Sequence, residues 1–186
     1  MFNTKLLFYP GNGKWHVMNT NSVAFFAENN VDEVPVDTQL IIAVWEILYP
    51  GNLGNIIRGA HNIGAERVLF VNEKPAFNNS KIKKTAGFSF DKMTWDFISH
   101  HDFFTLLEKD FELVVLETCD GAKSIYNTEL PPKAIILAGN ESYGLPNEVI
   151  EKAGHEVFIP MPGGCKSMNV SHALAIAGFE WYRQML

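Results

Sequence analysis

Apolar residues fall along this chain in short solid blocks separated by stretches with a helical period, and that alternation predicts its architecture. Leu40 to Leu48 is a continuous apolar run rich in β-branched residues, the pattern of a strand buried on both faces. Tyr49-Pro-Gly-Asn-Leu53 breaks the run, and Gly54 to Asn62 then reads as a helix with Ile56, Ile57 and Ala60 on its packing side. Gly64 stops that helix, and Arg67-Val-Leu-Phe-Val71 is the next strand, so the segment predicts a β-α-β unit. The alternation continues with a helix near His100 to Lys109 and strands at Leu113 to Glu117 and Ala134 to Ala138. A helix near Asn147 to Ala153, a strand at Val157 to Pro160 and a last helix ending at Leu186 complete it. Strands separated by helices predict an α/β fold, a mostly parallel sheet with helices on both faces. Ligands of such sheets sit beyond the carboxyl ends of the strands, so the loops leaving Leu48, Ala138 and Pro160 are expected to converge.

Residues 1–38 follow another pattern. Lys5-Leu-Leu-Phe-Tyr9, Pro10-Gly-Asn-Gly13 and Lys14-Trp-His-Val-Met18 read as a β-hairpin with a Gly/Asn turn, and Ser22 is placed to cap a short helix, Val23 to Glu28. This extension is expected to pack on a main domain spanning 39–186. Gly13-Lys14 is not a phosphate-binding loop, because the upstream glycine and the hydroxyl residue after the lysine are both missing.

At 186 residues and 47% hydrophobic, the chain suits one ordinary domain with a sizeable core. No run approaches the roughly 18 apolar residues of a membrane span, and the N-terminus lacks the order of a signal peptide, so a cytoplasmic location is expected. Cys119 and Cys165 have no CxxC or Cys/His spacing, which argues against a structural disulfide or a metal site. The formal net charge of −6 excludes a broadly basic nucleic-acid binder, so any such contact must be local.

The candidate chemistry lies in the converging loops. In Phe158-Ile-Pro-Met-Pro-Gly-Gly-Cys-Lys-Ser-Met-Asn-Val-Ser-His172, a strand exits through two prolines into Gly163 and Gly164, which permit backbone conformations or approaches that a side chain would forbid. Ser167 or Asn169 then caps the last helix. In Ala138-Gly-Asn-Glu-Ser-Tyr-Gly-Leu-Pro146, Gly139 is placed for close backbone approach to a ligand and Glu141 as a fixed carboxylate. In Asn52-Leu-Gly-Asn-Ile-Ile-Arg58, helical spacing puts Asn55, Arg58 and Asn62 on one side. Arg58 there is either an anion clamp or simply an exposed helix arginine.

Together these motifs resemble the SPOUT-superfamily RNA methyltransferases of the SpoU/TrmH type, in their compact, single-domain form. The resemblance rests on 52–58, Leu137 to Pro146, and Ile159-Pro-Met161 with Ser167-Met-Asn-Val-Ser171, and covers roughly Leu40 to Leu186. It implies a C-terminal trefoil knot, an exception to the usual connection rules. It also implies S-adenosylmethionine as methyl donor, held by Gly139, Ile159, Met161 and Ser167, with Glu117 or Thr118 closing the pocket and no metal. Arg58 matches the family's catalytic arginine, while Asn52, Glu141 and Asn169 match positions that shape the active site. A homodimer acting on tRNA or rRNA is implied as well.

In the implied reaction a ribose 2′-oxygen attacks a sulfonium methyl group, and the enzyme must align the two and manage one proton. A guanidinium with a pKa above about 12 is a poor base, so Arg58 is expected to grip the flanking phosphate and orient the hydroxyl. For RNA affinity the best source is Lys74, Lys81, Lys83, Lys84 and Lys92, interleaved with Phe77, Phe88, Phe90 and Trp95. The alternative for that segment is a solvated loop. Two other functions stay open: a catalytically inactive, cofactor-binding paralogue acting as an RNA-binding or assembly factor, and a methyltransferase for another acceptor such as a base nitrogen.

Overall fold

The computed structural model describes residues 5–7, 16–18, 21–75, 77–107 and 110–186. The chain forms two compact units, Met1–Glu33 and Val34–Leu186.

In the first unit, β1 (Lys5–Leu7) and β2 (His16–Met18) pair antiparallel, as a hairpin requires. Its expected turn, 10–13, lies outside the described residues. Helix α1 (Ser22–Glu28) begins one residue earlier than expected, because Asn21 and not Ser22 is the cap: Asn21 Oδ1 accepts from the backbone N–H of Val23 at 3.0 Å.

The second unit holds β3 (Gln39–Trp45), α2 (Pro50–Ile63), β4 (Arg67–Val71), α3 (Asn79–Ala86), β5 (Trp95–Ile98) and α4 (His100–Leu107). It continues with β6 (Glu112–Leu116), β7 (Lys123–Ser124), β8 (Lys133–Ala138), α5 (Asn147–Ile150), β9 (His155–Phe158) and α6 (Val170–Met185). Strands β3 to β9 form one seven-stranded sheet, order β5-β4-β3-β8-β6-β9-β7, and every pairing is parallel. Alternate residues of β3 serve two cores. Leu40, Ile42 and Val44 pack under α2, α3 and α6, while Ile41, Ala43 and Trp45 pack with Phe103 of α4 and Val149 of α5. A strand with a helical layer on each face must be apolar at every position, which is why the run from Leu40 is unbroken.

Helix α2 starts at Pro50, earlier than the expected Gly54: proline stands at the first helical position, where its missing N–H costs nothing. Asn52 is therefore inside the helix and buried, not in a preceding loop. Gly64 ends the helix in a left-handed conformation, φ 80°.

The lysine-rich stretch after Asn72 is not a loop. It forms α3, a 3-10 turn (Gly87–Asp91) and edge strand β5, with Ile82 and Ala86 buried against α2. His100 does open a helix; the expected end of that helix, Lys109, lies outside the described residues. No helix among the described residues is long and apolar enough to cross a membrane.

Candidate active site

Strands β3, β8, β6 and β9 are neighbours in the sheet, and their carboxyl ends open onto a cavity of about 530 Å3. The expected convergence of loops occurs here. Asn52 reaches the cavity from α2, Glu117 and Thr118 from the end of β6, and Gly139 and Glu141 from the loop after β8. Ile159 and Met161 arrive from the exit of β9, with Ser167 and Asn169 from the approach to α6.

A single hydrogen-bonded chain joins three of these segments. Glu141 accepts from Asn52 Nδ2 at 2.6 Å through Oε1 and from the Leu48 backbone N–H at 3.2 Å through Oε2. Asn52 Oδ1 accepts from Asn169 Nδ2 at 3.0 Å. Asn169 Oδ1 then accepts from the Ser171 backbone N–H at 2.9 Å and the Ser171 hydroxyl at 2.6 Å, which makes Asn169 the cap of α6. Each amide has its oxygen and nitrogen orientation dictated by the next member, so the donors all point toward the Glu141 carboxylate. That carboxylate also sits at the amino end of α2, where the helix dipole favours negative charge.

Glu117 is engaged by backbone. Its Oε1 accepts from the Thr118 N–H at 2.8 Å and its Oε2 from the Leu145 N–H at 3.2 Å, which ties the end of β6 to the loop after β8. Gly139 lines the cavity and is also packed against its own loop. A Cβ built there would collide with the backbone of Gly144, so its small size is used within the loop. Gly144 has φ 67°, and a Cβ on it would lie 2.5 Å from Glu117 Oε2, so both glycines are needed to fold this loop onto that carboxylate. Burial first, and then the Glu156 carboxylate, pushes the nearby Cys119 thiol above its ordinary value, which argues against a thiolate nucleophile.

The segment 162–169 is exposed and bonded locally: Lys166 Nζ donates to the carbonyl of half-buried Met161 at 2.7 Å, and the Cys165 thiol to the Ser167 carbonyl at 3.3 Å. Gly163 and Gly164 are not in left-handed backbone, and a Cβ on either would meet nothing, so the expectation of a steric need for glycine does not hold within this chain.

Arg58 is not brought to the cavity. It is exposed on α2 together with Asn55 and Asn62, as helical spacing predicts, but it is not among the lining residues. It lies about 9 Å along the helix from Asn52 and on another side of it. Lys81, Lys83 and Lys84 are exposed on α3, also away from the cavity. Lys83 is committed to Asp91 at 2.9 Å and lies 5.2 Å from the centre of the Phe90 ring. Phe77, Phe90 and Trp95 pack against the core, which leaves Phe88 as the exposed aromatic of that stretch.

Sequence reasoning missed Tyr49, Asn140 and Lys166 as cavity residues. Asn140 had a signal in its spacing to Gly144: its side chain accepts from the N–H groups of Ser142 and Tyr143, closing a turn that ends in the left-handed glycine.

A doubly covered parallel sheet with a ligand-sized cavity at its strand ends, bordered by a partly buried Asn-Glu-Asn chain, defines a small-molecule-binding α/β domain. Residues 39–179 match the SpoU rRNA Methylase family, and the chain belongs to that family. It is 27% identical over 165 residues to a 23S rRNA (guanosine-2′-O-)-methyltransferase RlmB of Xanthomonas axonopodis pv. citri, covering 87% of this chain and 66% of that protein. Against a tRNA (cytidine(34)-2′-O)-methyltransferase of Photorhabdus asymbiotica the identity is 27% over 154 residues, covering 78% of this chain and 94% of the relative. The crystal structure of an AdoMet-bound rRNA methyltransferase from Sinorhizobium meliloti superposes with a TM-score of 0.73 at 27% identity, over 80% of this chain and 57% of that one. The chain thus spans less than two thirds of some of these relatives.

Proposed function

We propose that this protein is an S-adenosylmethionine-dependent RNA methyltransferase that modifies a ribose 2′-hydroxyl of tRNA or rRNA. The observation that carries the proposal is the Ser171-Asn169-Asn52-Glu141-Leu48 chain, which joins all three family motifs at one cavity.

The cavity suits the methyl donor. Its volume lies in the range of small-molecule sites. Leu116, Ala138, Ile159 and Val170 offer apolar walls for a flat base, and the glycine-containing loop 138–144 offers backbone groups for its polar edge. Gly139, Ile159, Met161 and Ser167 would hold the donor, with Glu117 and Thr118 at the end of β6 closing the pocket. When bound, S-adenosylmethionine supplies a methyl group on a positively charged sulfur. Asn52, Glu141 and Asn169 keep the cavity wall in one geometry, so that the acceptor meets a fixed target.

Arg58 grips the phosphate beside the target ribose and orients the hydroxyl; the proton passes to phosphate or water, because a guanidinium does not accept it. Its exposed place on α2 leaves it free to reach an RNA outside the cavity, in the same subunit or across a homodimer. Lys81 and Lys84 add phosphate contacts, and Lys83 adds less because Asp91 already neutralises it. The working form is a homodimer with a C-terminal trefoil knot, and the placement of late β8 between earlier β3 and β6 is compatible with a threaded chain. Its tRNA or rRNA substrate places the enzyme in the cytoplasm.

The deciding experiment incubates the protein with methyl-labelled S-adenosylmethionine and total RNA from a strain lacking the gene, followed by mass mapping of the RNA. One new ribose methyl group is expected. A labelled base nitrogen would replace the acceptor, and donor binding without transfer to any RNA would favour the inactive-paralogue reading. Arg58→Ala is expected to abolish transfer and to leave donor binding unchanged by calorimetry.

A further inference from the structure

We propose that His100 is a positioning residue that holds the first motif segment against Glu141, acting through Glu46. The functional consequence rests on the methyltransferase reading; the mechanical claim does not.

Glu46 has φ 47°, and it is the non-glycine residue with left-handed backbone among the described residues. A glutamate gains nothing locally from that conformation and keeps it only where its surroundings over-determine it. The surroundings here are explicit. The Glu46 backbone N–H donates to the Val71 carbonyl at 2.8 Å, which extends the parallel ladder one step past β3. The Glu46 carboxylate meets His100 Nε2 at 2.7 Å. His100 itself is fixed on two sides. Its ring lies flat on Trp45, with centroids 4.2 Å apart and planes at 16°, and its backbone N–H donates to Glu73 Oε1 at 2.7 Å. The imidazole Nδ1 is 3.5 Å from the same Glu73 oxygen.

The consequence lies two residues on. The backbone N–H of Leu48 is one of the two groups that Glu141 holds, and α2 with Asn52 begins directly after Tyr49. The direction the chain takes at Glu46 therefore decides where Leu48 and the start of α2 present themselves to Glu141. Without His100, Glu46 relaxes toward negative φ and turns the 47–49 segment away. None of Glu46, Glu73 and His100 lines the cavity, and the described residues contain no group of His, Cys, Asp and Glu placed to hold a metal ion. The cluster is a clasp and not a second binding site.

The test is a double-mutant cycle read by amide hydrogen exchange at Leu48. His100→Ala is expected to speed that exchange about tenfold, equivalent to about 1.4 kcal/mol. Glu46→Gly removes the strain together with the clasp and should keep Leu48 protected to within about threefold, because glycine adopts this conformation freely. In the Glu46→Gly background, His100→Ala should then change exchange by less than about twofold. Equal acceleration in both backgrounds would mean that His100 only packs on Trp45, and unchanged exchange in His100→Ala would mean that the clasp holds nothing; either result overturns the proposal. With an RNA substrate, His100→Ala should lower kcat and leave donor affinity intact, and His100→Gln, which keeps a side-chain donor, should recover most of the loss. If the wild-type protein transfers no methyl group, the functional reading fails, while the exchange cycle still decides the clasp.

Discussion

At position 52 one side-chain amide serves two partners, and the site depends on it more than on its charged member. Asn52→Ala removes both bonds and strands Glu141 Oε1 and the Asn169 amide in a partly buried setting. We expect methyl transfer to fall on the order of a hundredfold, measured in single turnovers. Stability should fall by about 1–3 kcal/mol in a urea titration. Asn52→Asp should be worse, since it sets a second carboxylate against Glu141. Gly144→Ala is expected to cost more than an ordinary loop glycine, because φ 67° and the Glu117 carboxylate both oppose a Cβ. At this scale the motif residues were legible as types: Asn52 and Glu141 are polar groups beside predicted strand ends, and Asn169 was a candidate cap of the last helix, which it is. Their pairing was not legible. Asn52 and Asn169 are 117 positions apart, and only folding shows that one donates to the other.

Helices α2 and α3 cross at Gly54. A Cβ there would collide with Thr85 Oγ1 and the backbone of Ile82 and Ala86, so Gly54→Ala must separate the two helices. A loss of about 1–3 kcal/mol is expected from such overpacking, read as a lower denaturant midpoint with unchanged slope. Asn169→Ala removes the cap of α6 and should cost about 1 kcal/mol on that ground alone. Strands β3, β4, β6, β8 and β9 were predicted to within a few residues because solid apolar runs have few other uses, whereas β5 and the two-residue β7 were not predicted. Three elements were misjudged for physical reasons. The start of α2 is written in turn residues, Pro50-Gly-Asn52, and Asn52 is held in place by partners on other segments. Helix α3 buries only Ile82 and Ala86, so its sequence carries little periodic signal. Strand β5 is a short edge strand whose aromatic residues look like a stacking surface until the core is seen to take them up.

For the whole molecule, pH and salt give the sharpest tests. Glu180 is 7% exposed, and hydrogen bonds from Arg183 first, with Gln184 adding to them, hold its carboxyl below the ordinary 4.5 in spite of burial. A lowered folded-state value stabilises the protein above the unfolded value, and the contribution is lost as pH falls through the folded one. Thermal unfolding should therefore drop below pH 4.5 in the native protein, and Glu180→Gln should flatten that drop while lowering the Tm at neutral pH. On an acidic protein RNA binding must come from local charge. Lys81→Ala and Lys84→Ala should each reduce the salt slope by about one, and Lys83→Ala by less. Equal effects of all three would show that the Lys83–Asp91 pair opens on binding. By itself the sequence determined the layered parallel sheet and the loops that meet at its carboxyl ends, because burial on two faces and turn chemistry are written locally in the order of apolar and breaking residues. Only the tertiary structure decided which donor faces Glu141, why Gly139 and Gly144 are glycines, that Arg58 stands outside the cavity, and that Glu46 is strained. Each of these depends on what distant segments place beside a residue, and no local pattern encodes it.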